Sequence, residues 1–133
     1  MAPRRIANRK AASWILLGFQ CIFALIYCFP SLVYRAGAPS GTSSVVAFIN
    51  NDFPLIWVGA FGITGLGLTC AMYFNKGIHV WHLFASAVFG GYAAALFFGA
   101  FTTSPHGSVT YPLLALLPMI GNFLLALSYG GDR

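Results

Sequence analysis

Residues Ile78 to Ala100 read IHVWHLFASAVFGGYAAALFFGA, without one formally charged side chain. A run of this length is what an α-helix needs to cross about 30 Å of hydrocarbon. No polar face alternates through it, so it lacks the one-sided apolar stripe of a helix on a soluble core. Three further stretches read the same way: Ala11 to Val33, Pro54 to Phe74 and Tyr111 to Tyr129. Of the 133 residues 59% are hydrophobic and 7% are charged, whereas a soluble domain carries about a quarter of its residues as charge. The expected fold is therefore all-α, an integral membrane bundle of four transmembrane helices. It forms a single membrane domain over residues 1–133, with no room for a second.

The basic residues give the direction of the spans. Arg4, Arg5, Arg9 and Lys10 lie in the basic stretch 1–10 ahead of the first span, Lys76 sits between spans two and three, and Arg133 follows the fourth. All fall on one side, which the positive-inside rule assigns to the cytoplasm, so both termini are expected there. The opposite side receives Arg35 and Asp52, which cancel, and an uncharged connection from Phe101 to Thr110. The net charge of +5 is too small and too local to make a nucleic-acid surface. The expected partners are the lipid bilayer and either further copies of the chain or other membrane subunits. Trp14, Tyr34, Trp57, Tyr73, Trp81, Tyr111 and Tyr129 stand near the span ends, where amphipathic rings favour the headgroup level.

Two features near the first span bear on its fate. Arg4 to Lys10 and the A-x-A triplet Ala36, Gly37, Ala38 spell the ends of a signal peptide. The apolar run between them is longer than a usual h-region and Pro39 follows the triplet, so the span is read as retained. The outer segment 34–53 passes from Gly37, Pro39 and Gly41 through Thr42, Ser43 and Ser44 into Val45 to Ile49. Ser or Thr before an apolar run marks a helix start, so this segment is either a short surface helix or an ordinary loop with apolar anchors.

Residues able to carry chemistry are few. Cys21 and Cys28 stand seven apart, too far along a helix to bond to each other, Cys70 is distant in sequence, and no CxxC occurs. Buried inert thiols are the expected reading. His79 and His82, three apart, could share a metal, and a lone histidine in a span can hold haem. With no Glu in the chain and both Asp residues outside the spans, anchoring at the interface by amphipathic rings is the better reading. No cofactor, metal or catalytic group is expected, and an enzyme is the class these residues support least. Ion-coupled transport needs charge within the membrane, and none lies in the spans. The intramembrane Glu of small multidrug-resistance transporters and the Arg-bearing signature of four-helix fluoride channels are both missing.

The spans do hold uncharged polarity. Gln20, Thr64, Ser86 and Asn122, one from each, lie roughly 10 to 15 Å from the cytoplasmic ends at 1.5 Å per residue. They could form one hydrogen-bonded layer, either as glue between helices or as the lining of a wet path in an assembly. Small residues Ala87, Gly91, Ala95 and Gly99 recur every four positions in the third span, beside Ser86, Gly90 and Ala94. They make a ridge for close helix packing. Gly59, Gly62, Gly65 and Gly67 thin and loosen the second span, and Pro118 is expected to kink the fourth.

With its basic start at Arg4 to Lys10, its Ala87 to Gly99 ridge and its polar layer from Gln20 to Asn122, the chain resembles the holins of bacterial viruses. These include the four-span holin-like proteins of viruses that infect actinobacteria. It departs from many holins at Gly130 to Arg133, which carries only Asp132 and Arg133 in place of a dense charged tail. The resemblance implies accumulation in the bacterial cytoplasmic membrane, association through helix faces and the sudden opening of a lesion, with no catalytic residue. The alternative from a different class is an accessory or assembly subunit of a larger membrane complex.

Overall fold

The computed structural model describes residues 3–33, 54–102 and 109–131, with side chains described from Asn8 to Leu25 in the first helix and from Ile56 in the second. Every regular element among them is helical: α1 (Pro3–Val33), α2 (Pro54–Phe74), α3 (Ile78–Thr102) and α4 (Thr110–Gly130). Three of these, α2, α3 and α4, are long and apolar enough to cross a membrane. The helices lie on the four apolar stretches, but α1 starts at Pro3. The basic residues Arg4 to Lys10 thus belong to its first turns. Segment 34–53, with Tyr34, Arg35, the Ala36 to Ala38 triplet and Asp52, lies outside the described residues, as do His106 and Arg133 and the side chains of Arg4, Arg5, Cys28 and Tyr111.

The helices pack in chain order, α1 on α2, α2 on α3 and α3 on α4, and α4 closes back on α1 over the smallest of the four interfaces. The link between α2 and α3 is only Asn75 to Gly77. Asn75 takes φ 52° and Gly77 φ 68°, a left-handed region that Asn tolerates and Gly enters freely. The Lys76 amide then reaches back to the Ala71 carbonyl at 3.1 Å, the closure that ends many helices at a left-handed residue. The Gly77 carbonyl accepts from Val80 at 3.0 Å and Trp81 at 3.3 Å, so α3 starts at once. Pro118 does not end α4, which is continuous through it.

Away from that turn the core is aromatic. Phe23 of α1 meets Phe61 of α2 at 5.5 Å and stands edge-on to Phe89 and Tyr92 of α3 at 5.3 and 5.7 Å. Trp57 joins edge-on to Tyr92 at 5.2 Å. Offset and edge-on rings gain quadrupole energy beyond their buried area, and here they tie three helices together. Nearer the turn a smaller cluster forms from Leu17, Leu68, Ala71 and Ile78, with Met72, Trp81 and Tyr129 against it. Trp57, Trp81 and Tyr129 therefore pack inward rather than serving only as headgroup anchors, while Trp14 and Tyr73 do face outward.

The outer surface inverts the usual pattern. Ile63, Leu66 and Leu117 are each about two-thirds exposed, at 66%, 68% and 66%, in company with Ile15, Phe98 and Leu124. The buried set meanwhile includes Ser13, Gln20, Thr64, His82, Ser86 and Asn122. In water this would leave apolar surface far beyond what a soluble monomer exposes. In hydrocarbon it is the stable arrangement, since polar groups find partners only inside. The same logic corrects the thiols: Cys21 and Cys70 are exposed and free, not buried, because facing lipid costs a weakly polar sulfur little.

Candidate functional site

Three of the buried polar side chains, Ser13, His82 and Asn122, meet toward the end of the bundle where α1 and α3 begin and α4 finishes. His82, one turn into α3, is fully buried, which corrects its expected place as an interfacial anchor. Its partners come from two other helices. Nδ1 lies 2.7 Å from Asn122 Oδ1 on α4, and Nε2 lies 2.9 Å from Ser13 Oγ on α1. His79, one turn earlier, stays half-buried.

The direction of each hydrogen bond follows from the far end of the chain of contacts. Asn122 Nδ2 donates to the Pro118 carbonyl at 2.8 Å, which fixes the amide with its oxygen toward the ring. An amide oxygen only accepts, so His82 Nδ1 carries the proton and Nε2 of the neutral ring is an acceptor. Ser13 must then donate to Nε2. Its oxygen is left to accept from the Tyr129 hydroxyl, 3.3 Å away. One tautomer and one hydroxyl orientation satisfy the whole set.

Tyr129 adds a second layer. Its ring stacks on His82 with centroids 5.9 Å apart and planes 10° from parallel. The Arg9 guanidinium lies over the Tyr129 ring at 5.5 Å and donates to the Ser128 carbonyl at 2.7 Å. That carbonyl is in the last turn of α4, where helical donors run out and a cation is favoured. Arg9 and Ser13 are four apart, on one face of α1. The contact between α1 and α4 at this end is thus largely polar, with Leu16 against Gly121 one turn further in.

The four residues expected to share one layer are all buried, but their hydrogen bonds run in separate sets. Gln20 Nε2 donates to Thr64 Oγ1 across α1 and α2, and that hydroxyl donates to its own helix at the Ala60 carbonyl, 2.6 Å away. Gln20 Oε1 has no hydrogen-bond partner among the described residues. Asn122 pairs with His82, and Ser86 Oγ donates to the Met119 carbonyl at 3.0 Å. The small-residue ridge divides as well: Ala87 and Gly91 are exposed, Ala95 is half-buried and Gly99 is buried. Steps of four residues turn a helix face by about 40° each, so the ridge winds from the outside of the bundle to its interior. Of the residues expected to set the topology, Lys10 and Lys76 are exposed and Arg9 is engaged with α4.

Sequence reasoning missed Ser13 and Tyr129 as partners of His82. A readable signal was the spacing of Arg9, Ser13 and Gln20 on one side of α1, which marks a polar inner face. Ser13, His82 and Asn122 follow the bond order of an acyl-transfer triad. However, Ser13 is fully buried and lies well inside α1, where backbone N–H groups are committed to the helix. The contacts of Ser13, His82 and Asn122 join three helices, α1, α3 and α4. Among the described residues no group of three His, Cys, Asp or Glu side chains comes together to hold a metal. No known family, curated protein or solved structure matches this chain.

Proposed function

We propose that this chain is a non-catalytic integral membrane protein of four spans that associates with its own copies and permeabilises a bacterial cytoplasmic membrane, in the manner of a holin. α1 is the fourth span. Its 31 residues run about 46 Å at 1.5 Å per residue, enough to cross about 30 Å of hydrocarbon with Arg4 to Lys10 standing clear in the cytoplasm. Both termini then lie on that side, together with the turn that carries Lys76.

The observation that carries the reading is the polarity hidden inside an apolar exterior. Ser13, Gln20, Thr64, His82, Ser86 and Asn122 are all buried, and between them they could line water if the helices parted and copies regrouped. Ala87 and Gly91, facing outward, supply a thin strip for contact between copies. The test is inducible expression of the chain alone in bacteria, following viability and entry of an impermeant dye. Abrupt permeabilisation above a threshold amount supports the proposal. Continued growth with an intact membrane, at confirmed levels in the membrane fraction, overturns it.

A second reading is favoured by the near-complete pairing of those same groups within one copy, with Gln20 Oε1 the exception. A bundle so satisfied suits an accessory subunit that docks on a larger complex. It would be harmless when expressed alone and short-lived without its partner.

A further inference from the structure

We infer that His82 is a proton-sensitive latch that holds α1 against α3 and α4. The latch deepens the lesion-forming reading and rests on it for its biological consequence, since releasing α1 would be the step that unpacks the polar interior. Its basis is the bond order around one ring. His82 Nε2 accepts from Ser13 at 2.9 Å only while it is bare, because Asn122 requires the ring proton on Nδ1.

A second proton, on Nε2, turns that acceptor into a donor facing the Ser13 oxygen, so the Ser13 hydroxyl proton loses its acceptor and must turn elsewhere. It also places a positive charge in a fully buried site. Among the described residues the groups around it offer no compensation. From α1 comes the Arg9 cation, lying over Tyr129. From α4 come the neutral Tyr129 and Asn122, and the ionisable side chains of α2, Cys70 and Tyr73, are exposed. On α3 itself His79 sits one turn away, and no carboxylate occurs on any of the four helices. A buried cation without a counter-ion is costly. Water can reach it most readily where α1 leaves α4, because that interface is the smallest of the four between helices adjacent around the bundle and its polar contacts converge on this same site.

The test uses the full chain in nanodiscs of zwitterionic and anionic phospholipid. Hydrogen–deuterium exchange is followed from neutral to mildly acidic pH and corrected for the intrinsic pH dependence of exchange. Corrected exchange in residues 9–20 is expected to rise about tenfold per pH unit over the linked range, the slope of one proton, while α3 stays protected. His82→Gln should abolish the rise and His79→Gln should keep it. Ser13→Ala should raise exchange already at neutral pH. An α1 signal that does not respond to pH, or that responds equally in His82→Gln, overturns the latch. If His82→Gln loses protection throughout, ring-¹⁵N spectra of the unaltered chain decide. A proton on Nδ1 at neutral pH and a titration coincident with α1 exchange uphold the latch, and a proton on Nε2 or a titration without α1 release overturns it. Dye retention in vesicles is read in parallel: α1 release without leakage upholds the latch and counts against lesion formation.

Discussion

His82 Nδ1 and Asn122 Oδ1 sit 2.7 Å apart, both fully buried, and this pair joins the start of α3 to the second half of α4. Asn122→Ala removes the acceptor and leaves a buried N–H unpaired, at a cost of about 1–3 kcal/mol. Replacing both partners, as His82→Phe with Asn122→Leu, should recover part of that loss, since the His82 N–H no longer needs a partner although the Ser13 hydroxyl loses its acceptor. Unfolding in mixed micelles with increasing dodecyl sulfate measures both. Equal losses in the single and double variants would remove the pair from the account of stability.

Gly67 meets the ring of Trp81 so closely that an added Cβ would fall inside the indole. Gly67→Ala is therefore expected to destabilise the bundle by about 1–3 kcal/mol, as overpacking does. Gly59 and Gly62 have open space around them, and alanine there should be neutral or stabilising by up to about 1 kcal/mol through helix propensity. Melting temperatures in detergent separate the three. Combining Gly67→Ala with Trp81→Ala should erase the penalty of the first change.

Gly91 also has nothing near it within the bundle. Gly91→Leu should not lower the melting temperature of the monomer, while shifting the size of the assembly and the onset of permeabilisation. Crosslinking in membranes and dye-entry timing give the two readouts. If neither moves, the outward part of the ridge has no role in association.

Lys76 lies in the turn between α2 and α3, at the same end of the bundle as Arg9. In a chain whose native cysteines are replaced by serine, Lys76→Cys should react with a membrane-impermeant maleimide only after the cells are opened. Labelling of intact cells would reverse the proposed orientation and place Arg9 and Lys10 outside as well.

The helices were legible because hydrocarbon imposes a length and forbids charge, and both requirements are written locally in stretches such as Ile78 to Ala100. Pro54 and the Asn75 to Gly77 turn marked their limits for the same local reason. The site was legible only in part. Gln20, Thr64, Ser86 and Asn122 stood out as polar residues in apolar surroundings, and all four are buried. Their pairing was not readable, since it depends on helix rotation: Gln20 turns to Thr64, whereas Asn122 turns to His82. His82 was misplaced because a histidine one turn into a span looks the same whether it faces headgroups or the interior. What separates the two is Ser13, 69 positions away along the chain. Local spacing carries no trace of that contact.

The three-residue link from Asn75 to Gly77 also governs how the protein is made. With left-handed residues at both ends of the link, α2 and α3 have no independent choice of direction. A nascent chain must deliver them to the bilayer together, as one preformed hairpin whose leading edge is the 92–102 half of α3 beside the start of α2. Biogenesis then handles three objects rather than four: α1, the hairpin and α4. The last of the three brings Asn122 and the Met119 carbonyl, so His82 Nδ1 and the Ser86 hydroxyl of α3 wait for their partners until α4 is in place.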